Sequence, residues 1–330
     1  MEVLIICDKG ATAACVTETK RYLTVSSQGD NWLRAQGDEK DVAQAIWYGQ
    51  TMLEALQILQ EGEELQTKNW PEITGSFAVR SSTEENEEWG AKIKEATGLK
   101  VDLDHPDNIF VPFRADKIIL GLALTHKEMR KREYRVFTSN TSLRPTIAAA
   151  VLRLAGYSGE EDLLLPYEND GTLAIEAALM AMHKSPFSYE GVGEVLKPEV
   201  EEEQEASIDV AVPTVPYLKA VQKNAKIAGV LKSINVTKAE LDWLDTKYEE
   251  HSKSVVVANL PASSKRRKEA DTKKIAEELA YQARYVLKGT LAILTLKPEE
   301  HEGIFSFKEI ARHKLEMGCQ EFTLLIYEVK

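Results

Sequence analysis

The stretch that decides the fold is Leu163-Leu-Leu-Pro-Tyr-Glu-Asn-Asp-Gly-Thr172-Leu-Ala-Ile-Glu-Ala-Ala178. It starts with an apolar run of strand length, continues through a turn and then enters an alanine-rich helix that begins at Gly171-Thr172. This order is typical of nucleotide-binding α/β proteins, in which backbone N–H groups at the start of the helix meet the cofactor. The stretch therefore predicts a sheet strand, a binding turn and a covering helix.

Composition narrows the class of protein. A chain of 330 residues is long for one core and predicts two or three domains, and its 43% hydrophobic and 28% charged residues are typical of a globular protein. No apolar run approaches the ~20 residues of a membrane span, and we recognise no signal peptide. The three cysteines have no metal-ligand spacing. We therefore expect a cytoplasmic protein with no membrane association and no metal.

The net charge of -12 argues against indiscriminate nucleic-acid binding. It does not exclude such binding, because affinity for phosphate depends on local basic patches and not on the total charge.

The first part of the chain predicts two small α+β units. Residues 1–65 contain an apolar strand at Val3–Cys7, and apolar residues recur mostly at helical spacing within Asp41–Leu59. Residues 66–126 contain a helix at Glu87–Thr97 and several strands. Each unit would bury one face of a small sheet under helices.

The second part predicts a larger α/β unit. A charged connector spans residues 127–141, and a helix with Pro145 near its start opens the unit at residues 142–330. Apolar strands then alternate with helices, one of which we expect to stop at Gly289. This alternation predicts a parallel sheet with helices on both faces, closed by a C-terminal hairpin.

Nearly the whole chain resembles the THUMP-containing RNA methyltransferases. Matches to the THUMP domain are Phe77-Ala-Val-Arg80, Gly90-Ala-Lys-Ile-Lys-Glu-Ala-Thr-Gly98 and Ile119-Leu-Gly-Leu122. The helix from Ser142 to Gly156 is similar to the one that precedes the core of the tRNA guanine-N2 methyltransferases. The alternative for the THUMP unit is a generic α/β domain with a chance glycine pattern.

The resemblance implies three parts: a ferredoxin-like domain (1–65), a THUMP domain (66–126) and, after the connector, a class I, Rossmann-like methyltransferase domain (142–330). It also implies S-adenosylmethionine as cofactor and tRNA as partner, with the first two domains holding the acceptor end of the tRNA.

The cofactor loop departs from the family pattern D-P-F-C-G-S-G-T. Leu165 replaces the aspartate, while Glu168 and Asp170 replace the cysteine and the serine. A cofactor carboxylate would therefore meet two acids. The candidate cofactor-binding residues in this loop are Pro166, Asn169, Gly171 and Thr172.

Three other family devices are also altered. The D-I-D-P motif that holds the ribose falls on Val212-Pro-Thr-Val215, without either acid, and the adenine-binding aspartate falls on Lys238. In another register Glu240 or Asp242 would substitute for it. The D/N-P-P-Y-G motif reads Asn259-Leu-Pro-Ala-Ser263, which leaves Asn259 and Pro261 as candidate catalytic residues. Ala262 replaces the aromatic residue that stacks on a flipped base, a contact typically worth about 1–3 kcal/mol.

Basic residues in three places are candidates for RNA binding. They are Arg80, Lys92 and Lys94 in the THUMP unit, Arg130, Lys131 and Arg132 in the connector, and Lys265, Arg266 and Arg267, followed by Lys268, after the altered catalytic motif. We expect such side chains to be exposed and to bind phosphate by charge. For the last group, an ordinary solvated loop is an equal alternative.

Four altered devices in one pocket favour a tRNA-binding protein whose methyltransferase domain is catalytically degenerate. In that case no cofactor binds, and Gly171, Thr172 and Asn259 only turn and cap the chain. The first alternative is an active S-adenosylmethionine-dependent tRNA (guanine-N2) methyltransferase. The second, favoured by the net acidity, is a protein-interaction subunit without RNA contact, whose ligand is a protein partner.

Overall fold

A computed structural model describes residues 1–80, 85–125, 128–187 and 198–330. The N-terminal elements are β1 (Glu2–Cys7), α1 (Thr12–Thr19), β2 (Thr24–Gln28), β3 (Trp32–Gln36), α2 (Glu39–Trp47), β4 (Met52–Glu61), β5 (Ser76–Val79), α3 (Asn86–Thr97), β6 (Lys100–Val101), β7 (Asn108–Arg114) and β8 (Ile118–Ala123). The C-terminal elements are α4 (Pro145–Leu154), β9 (Leu163–Leu165), α5 (Thr172–Ala181), β10 (Ile208–Val212), α6 (Val215–Ile227), β11 (Ile234–Lys238), α7 (Leu244–Lys247), β12 (Lys253–Asn259), α8 (Glu269–Val286), β13 (Leu287–Thr295), β14 (Lys308–Met317) and β15 (Gln320–Val329).

The N-terminal strands form one sheet in the order β2-β3-β1-β4-β8-β7-β5-β6. Strands of the two predicted units meet where β4 pairs antiparallel with β8. The prediction of helical structure throughout Asp41–Leu59 is wrong, since α2 ends at Trp47 and β4 begins at Met52. As a central strand between β1 and β8, β4 packs on both faces, so its apolar residues do not alternate and resemble a helical pattern.

The C-terminal strands form a second sheet in the order β11-β10-β9-β12-β13-β15-β14. Neighbouring strands from β11 to β13 run parallel, and β15 and β14 add an antiparallel hairpin. This confirms the predicted α/β class for the second part. It also confirms that β9 and the strand ending at Asn259 are neighbours, so their carboxyl ends share one edge.

Two glycines hold the backbone in this sheet region in conformations that favour glycine. Gly171 starts α5 at φ +87°, and a Cβ there would lie 3.1 Å from Cγ1 of Val221 on α6. The prediction that Gly289 stops a helix is wrong, because α8 ends at Val286 and Gly289 lies inside β13. A Cβ on Gly289 would stand 2.2 Å from the carbonyl oxygen of Ser254, so this glycine permits close approach of β12 and β13.

A buried polar network joins the two sheets. Glu176, on α5, accepts hydrogen bonds from Nε of Arg132 at 3.0 Å, the hydroxyl of Tyr134 at 2.8 Å and Nε2 of Gln50 at 2.9 Å. Glu18, on α1, binds Nη2 of Arg153 at 2.7 Å. Each carboxylate contacts a residue of the other half of the chain, so these networks fix the relative position of the two sheets.

The prediction of an exposed, RNA-binding Arg132 is wrong. Its side chain is 0% exposed and faces Glu176, and its guanidinium also donates to the carbonyl oxygens of Met129 and Gln50. The connector looks solvated in sequence because its ion-pair partner lies far along the chain.

Candidate functional site

A cavity of about 100 Å³ opens at the edge of the C-terminal sheet where β12 ends. Residues from the cofactor loop, the altered catalytic motif, the basic loop, the connector and the closing hairpin line it. They are Asn140, Thr141, Tyr167, Asn169, Tyr217, Asn259, Leu260, Pro261, Ala262, Arg267, Leu296, Met317, Gln320 and Phe322.

The structure brings Asn169, Asn259 and Pro261 together in this cavity, as their places in the sequence led us to expect. Nδ2 of Asn169 donates to Oγ1 of Thr141 at 3.2 Å, and Nδ2 of Asn259 lies 3.5 Å from the carbonyl oxygen of the same threonine. Thr141, which the sequence did not single out, thus connects the two amides across the mouth of the cavity.

Two aromatic residues that the sequence did not mark also line the cavity. Tyr167 follows Pro166 at the end of β9 and has φ +66°, a conformation rare for a bulky residue. Tyr217 lies in the first turn of α6, after Thr214 caps the helix. The aromatic surface absent at Ala262 is therefore supplied from two other elements, and only the first, at the family's phenylalanine position, had a signal in the motif.

The remaining candidate cofactor residues lie beneath the cavity. Pro166, Gly171 and Thr172 are buried, and Glu168 and Asp170 turn inward beside them. Oε1 of Glu168 accepts the backbone N–H of Asn169 at 2.8 Å. Oδ1 of Asp170 accepts both the N–H and the hydroxyl of Thr172, at 3.2 and 2.9 Å. Donors at the start of α5 are thus occupied by the chain's own carboxylates.

The buried Glu168 has unusual protonation behaviour. Burial and the nearby charge of Asp170 raise the pKa of Glu168 to about 7, although backbone N–H groups of Asn169, Gly171 and Ala174 favour the charged form. Its Oε2 is buried without a hydrogen-bond partner. This carboxyl group therefore carries its proton over much of the acidic range.

The end of β10 has no carboxylate facing the cavity. Val212 is buried at the last position of the strand, and Thr214 accepts the N–H of Tyr217 at 3.5 Å as the helix cap. Asp209 lies earlier on the strand and forms an ion pair with Lys253. The expected acid positions are therefore filled by residues that build the scaffold.

The basic loop after β12 is anchored by a single acid. Glu300 accepts the backbone N–H of Ser263 at 3.0 Å and the hydroxyl of Thr272 at 3.1 Å, and its carboxylate lies 3.2 Å from Nζ of Lys297. Burial opposes the charged form, yet these hydrogen bonds lower the pKa of Glu300 to about 2. Lys265, Arg266 and Lys268 are exposed on this loop, and Arg267 points to the cavity lining.

The other candidate RNA-binding residues do not line the cavity. Arg80 and Lys94 are exposed on the N-terminal sheet region, and Lys92 pairs with Glu88 at 2.7 Å. Arg130 and Lys131 are exposed beside Glu128, at 2.9 and 3.4 Å. They form separate surface groups, apart from the cavity lining.

Membrane-spanning helices and metal clusters are both absent from the described ranges. No helix within them is long and apolar enough to cross a membrane. In the same part of the chain, no group of three or more His, Cys, Asp or Glu side chains could hold a metal ion.

Comparison with known proteins defines the class. Residues 132–325 match the family described as RMKL-like, methyltransferase domain, and the chain belongs to that family. It is 29% identical over 245 residues to the tRNA (guanine(6)-N2)-methyltransferase of Methanocaldococcus jannaschii, covering 69% of this chain and 62% of that protein. It is 33% identical over 129 residues to the enzyme of the same name from Thermus thermophilus, covering 36% of this chain and 38% of that one.

The chain thus spans less than two thirds of the length of these curated relatives. A solved structure described as a possible methylase from Clostridium difficile 630 superposes with a TM-score of 0.80 at 18% identity, covering 100% of this chain and 98% of that one. At that identity the likeness shows a shared fold.

Proposed function

We propose that this protein is a cytoplasmic tRNA-binding member of the family whose methyltransferase domain is catalytically degenerate. The observation that carries the proposal is the inward position of Glu168, whose carboxylate accepts the N–H of Asn169 in the cofactor loop. A methionine carboxylate would need donors of this kind at the start of α5, and would approach two buried acids.

The fit of S-adenosylmethionine to these residues is poor for two further reasons. The end of β10 offers no acid for the ribose hydroxyls. The only charged residue lining the cavity within the described ranges is Arg267, whereas the cofactor carries a cationic sulfonium and ammonium. The residues present thus do not fit the group, and we derive no reaction step through it.

Calorimetric titration tests the proposal. We expect neither S-adenosylmethionine nor S-adenosylhomocysteine to bind with a dissociation constant tighter than about 1 mM, near -4 kcal/mol. The matched variant restores the loop with Glu168→Cys, Asn169→Gly and Asp170→Ser. Tighter binding by that variant would assign the loss to the loop, whereas a micromolar isotherm from the wild type would refute degeneracy.

An active tRNA (guanine-N2) methyltransferase is the second candidate, favoured by the names of the two curated relatives. Asn259 and Pro261 lie together in the cavity, as that activity would require. The same titration separates the candidates, because an active enzyme must bind the cofactor.

The tRNA partner is tested through charge. Reversing Lys265, Arg266 and Lys268 to Glu removes exposed cations from the loop anchored by Glu300. We expect the log–log slope of tRNA affinity against salt to become shallower by about 0.7–0.9 for each phosphate that the variant no longer neutralises. Filter binding to total tRNA at several salt concentrations measures this slope.

The charge-matched control reverses Lys20, Lys232 and Lys288, which are exposed in other elements. An equal decrease of affinity in both variants would show that only net charge matters. Absence of tRNA binding by the wild type at low salt would favour the protein-interaction subunit.

A further inference from the structure

We propose that the cavity beside Asn259 binds one nucleotide unit, a base with its phosphate, in a mode that uses no cofactor. The proposal rests on the proposed function and names the ligand class of the same site. Its chemistry is a planar heterocycle with an anionic group, either a free nucleoside monophosphate or an unpaired nucleotide of RNA.

The size of the cavity sets the first condition. Its volume is about 100 Å³. One water-sized probe occupies about 10–15 Å³, so this space holds roughly seven to ten such spheres. That is room for a heterocyclic ring, and it lies below the ~300 Å³ at which pockets for drug-sized ligands begin. A ligand that adds a ribose and a methionine to an adenine ring would exceed it.

The lining offers what a base requires. Tyr167 and Tyr217 supply aromatic surface, and stacking on such residues is a general means of holding a base. Asn169, Asn259 and Gln320 bring side-chain amides, each with both a donor and an acceptor for the edge of a ring. Neutral amides and phenol rings suit an uncharged heterocycle.

The charge of the lining selects the rest of the ligand. Arg267 is the only charged lining residue in the described ranges, and it forms no side-chain ion pair within them. A guanidinium fork matches phosphate oxygens in geometry and charge. Exposed Lys265, Arg266 and Lys268 on the same loop strengthen the positive field at the entrance.

The loop that carries Arg267 is held in place before a ligand arrives. Glu300 fixes Ser263 at its start and Thr272 on α8 beyond its end. The backbone also closes on itself, with Ser264 and Arg267 exchanging N–H···O bonds at 2.9 and 3.2 Å. A fixed loop lowers the entropic cost of placing the guanidinium on a phosphate.

The test is calorimetry on the full chain with adenosine and guanosine 5′-monophosphates, and with adenosine as the ligand that lacks phosphate. We expect the nucleotides to bind below about 1 mM and adenosine to bind at least about fivefold more weakly. Tyr217→Ala should weaken nucleotide binding at least about fivefold, while Tyr217→Phe retains it. Arg267→Ala should abolish the preference for nucleotide over nucleoside, and Arg266→Ala is the control on the same loop.

The outcomes separate this inference from the function on which it rests. No nucleotide binding by a protein that still binds tRNA would overturn the pocket assignment alone. Equal binding by wild type and Tyr217→Ala, with matching thermal stability, would overturn it as well. Displacement of the nucleotide by a short single-stranded RNA would assign the site to RNA, and failure of displacement would assign it to a free nucleotide.

Discussion

Replacing Arg132 with methionine is expected to lower the free energy of unfolding by about 3–5 kcal/mol. The change removes the cation from a fully buried pair and leaves the Glu176 carboxylate without its 3.0 Å partner. Methionine retains the apolar contact with the ring of Phe187, over which the guanidinium lies at 4.9 Å. Urea denaturation followed by circular dichroism measures the change.

The controls are Arg130→Met and Lys131→Met, whose side chains are 52% and 75% exposed. Each should change stability by less than about 0.5 kcal/mol. Adding Glu176→Gln to Arg132→Met should recover part of the stability, because the uncompensated charge is then gone. A wild-type-like Arg132→Met protein would mean that the buried pair contributes little.

The second large effect concerns pH. Because burial and the charge of Asp170 raise the pKa of Glu168 to about 7 from an ordinary value of 4.5, the folded state holds this proton more tightly than the unfolded state does. The resulting stability is complete below pH 4.5 and is lost as the pH rises towards 7. Between about pH 5 and pH 8 the wild type should therefore lose about 2–3 kcal/mol that Glu168→Gln does not lose.

Denaturation curves of both proteins at about pH 5 and pH 8 measure this difference. Glutamine keeps an oxygen that can accept the N–H of Asn169, so the loop geometry is preserved. Burial also raises the pKa of Glu54 to about 7, and its contribution cancels because it is present in both proteins. Glu240→Gln, at an exposed position, is the control. Parallel profiles for wild type and Glu168→Gln would show that Glu168 stays ionised in the folded protein.

The elements that the sequence predicted well have strong local signals. The run at Leu163–Leu165 is buried on both faces, and the turn at Gly171 leads directly into α5. Because carboxyl ends of neighbouring parallel strands share an edge, Asn169 and Asn259 were expected near each other, and they line one cavity.

Long-range contacts explain what the sequence did not predict. Tyr217 and Gln320 belong to an ordinary helix and an ordinary hairpin until the fold brings them to Asn259. Arg132 looked solvated because its neighbours in sequence are charged. The only local hint of its burial was its partner Glu176, the one acid in the apolar helix Thr172–Ala181.

The junction between the sheets has an evolutionary consequence. Glu18 and Glu176 need groups from the other half of the chain, so each half completes the interior of its neighbour. A lineage that stops using the cofactor loop cannot discard the domain that carries it without exposing that interior. Residues such as Glu168 are then free to drift towards whatever stabilises the turn, while the junction remains under selection for folding. Architecture of this kind outlives the chemistry for which it was first assembled.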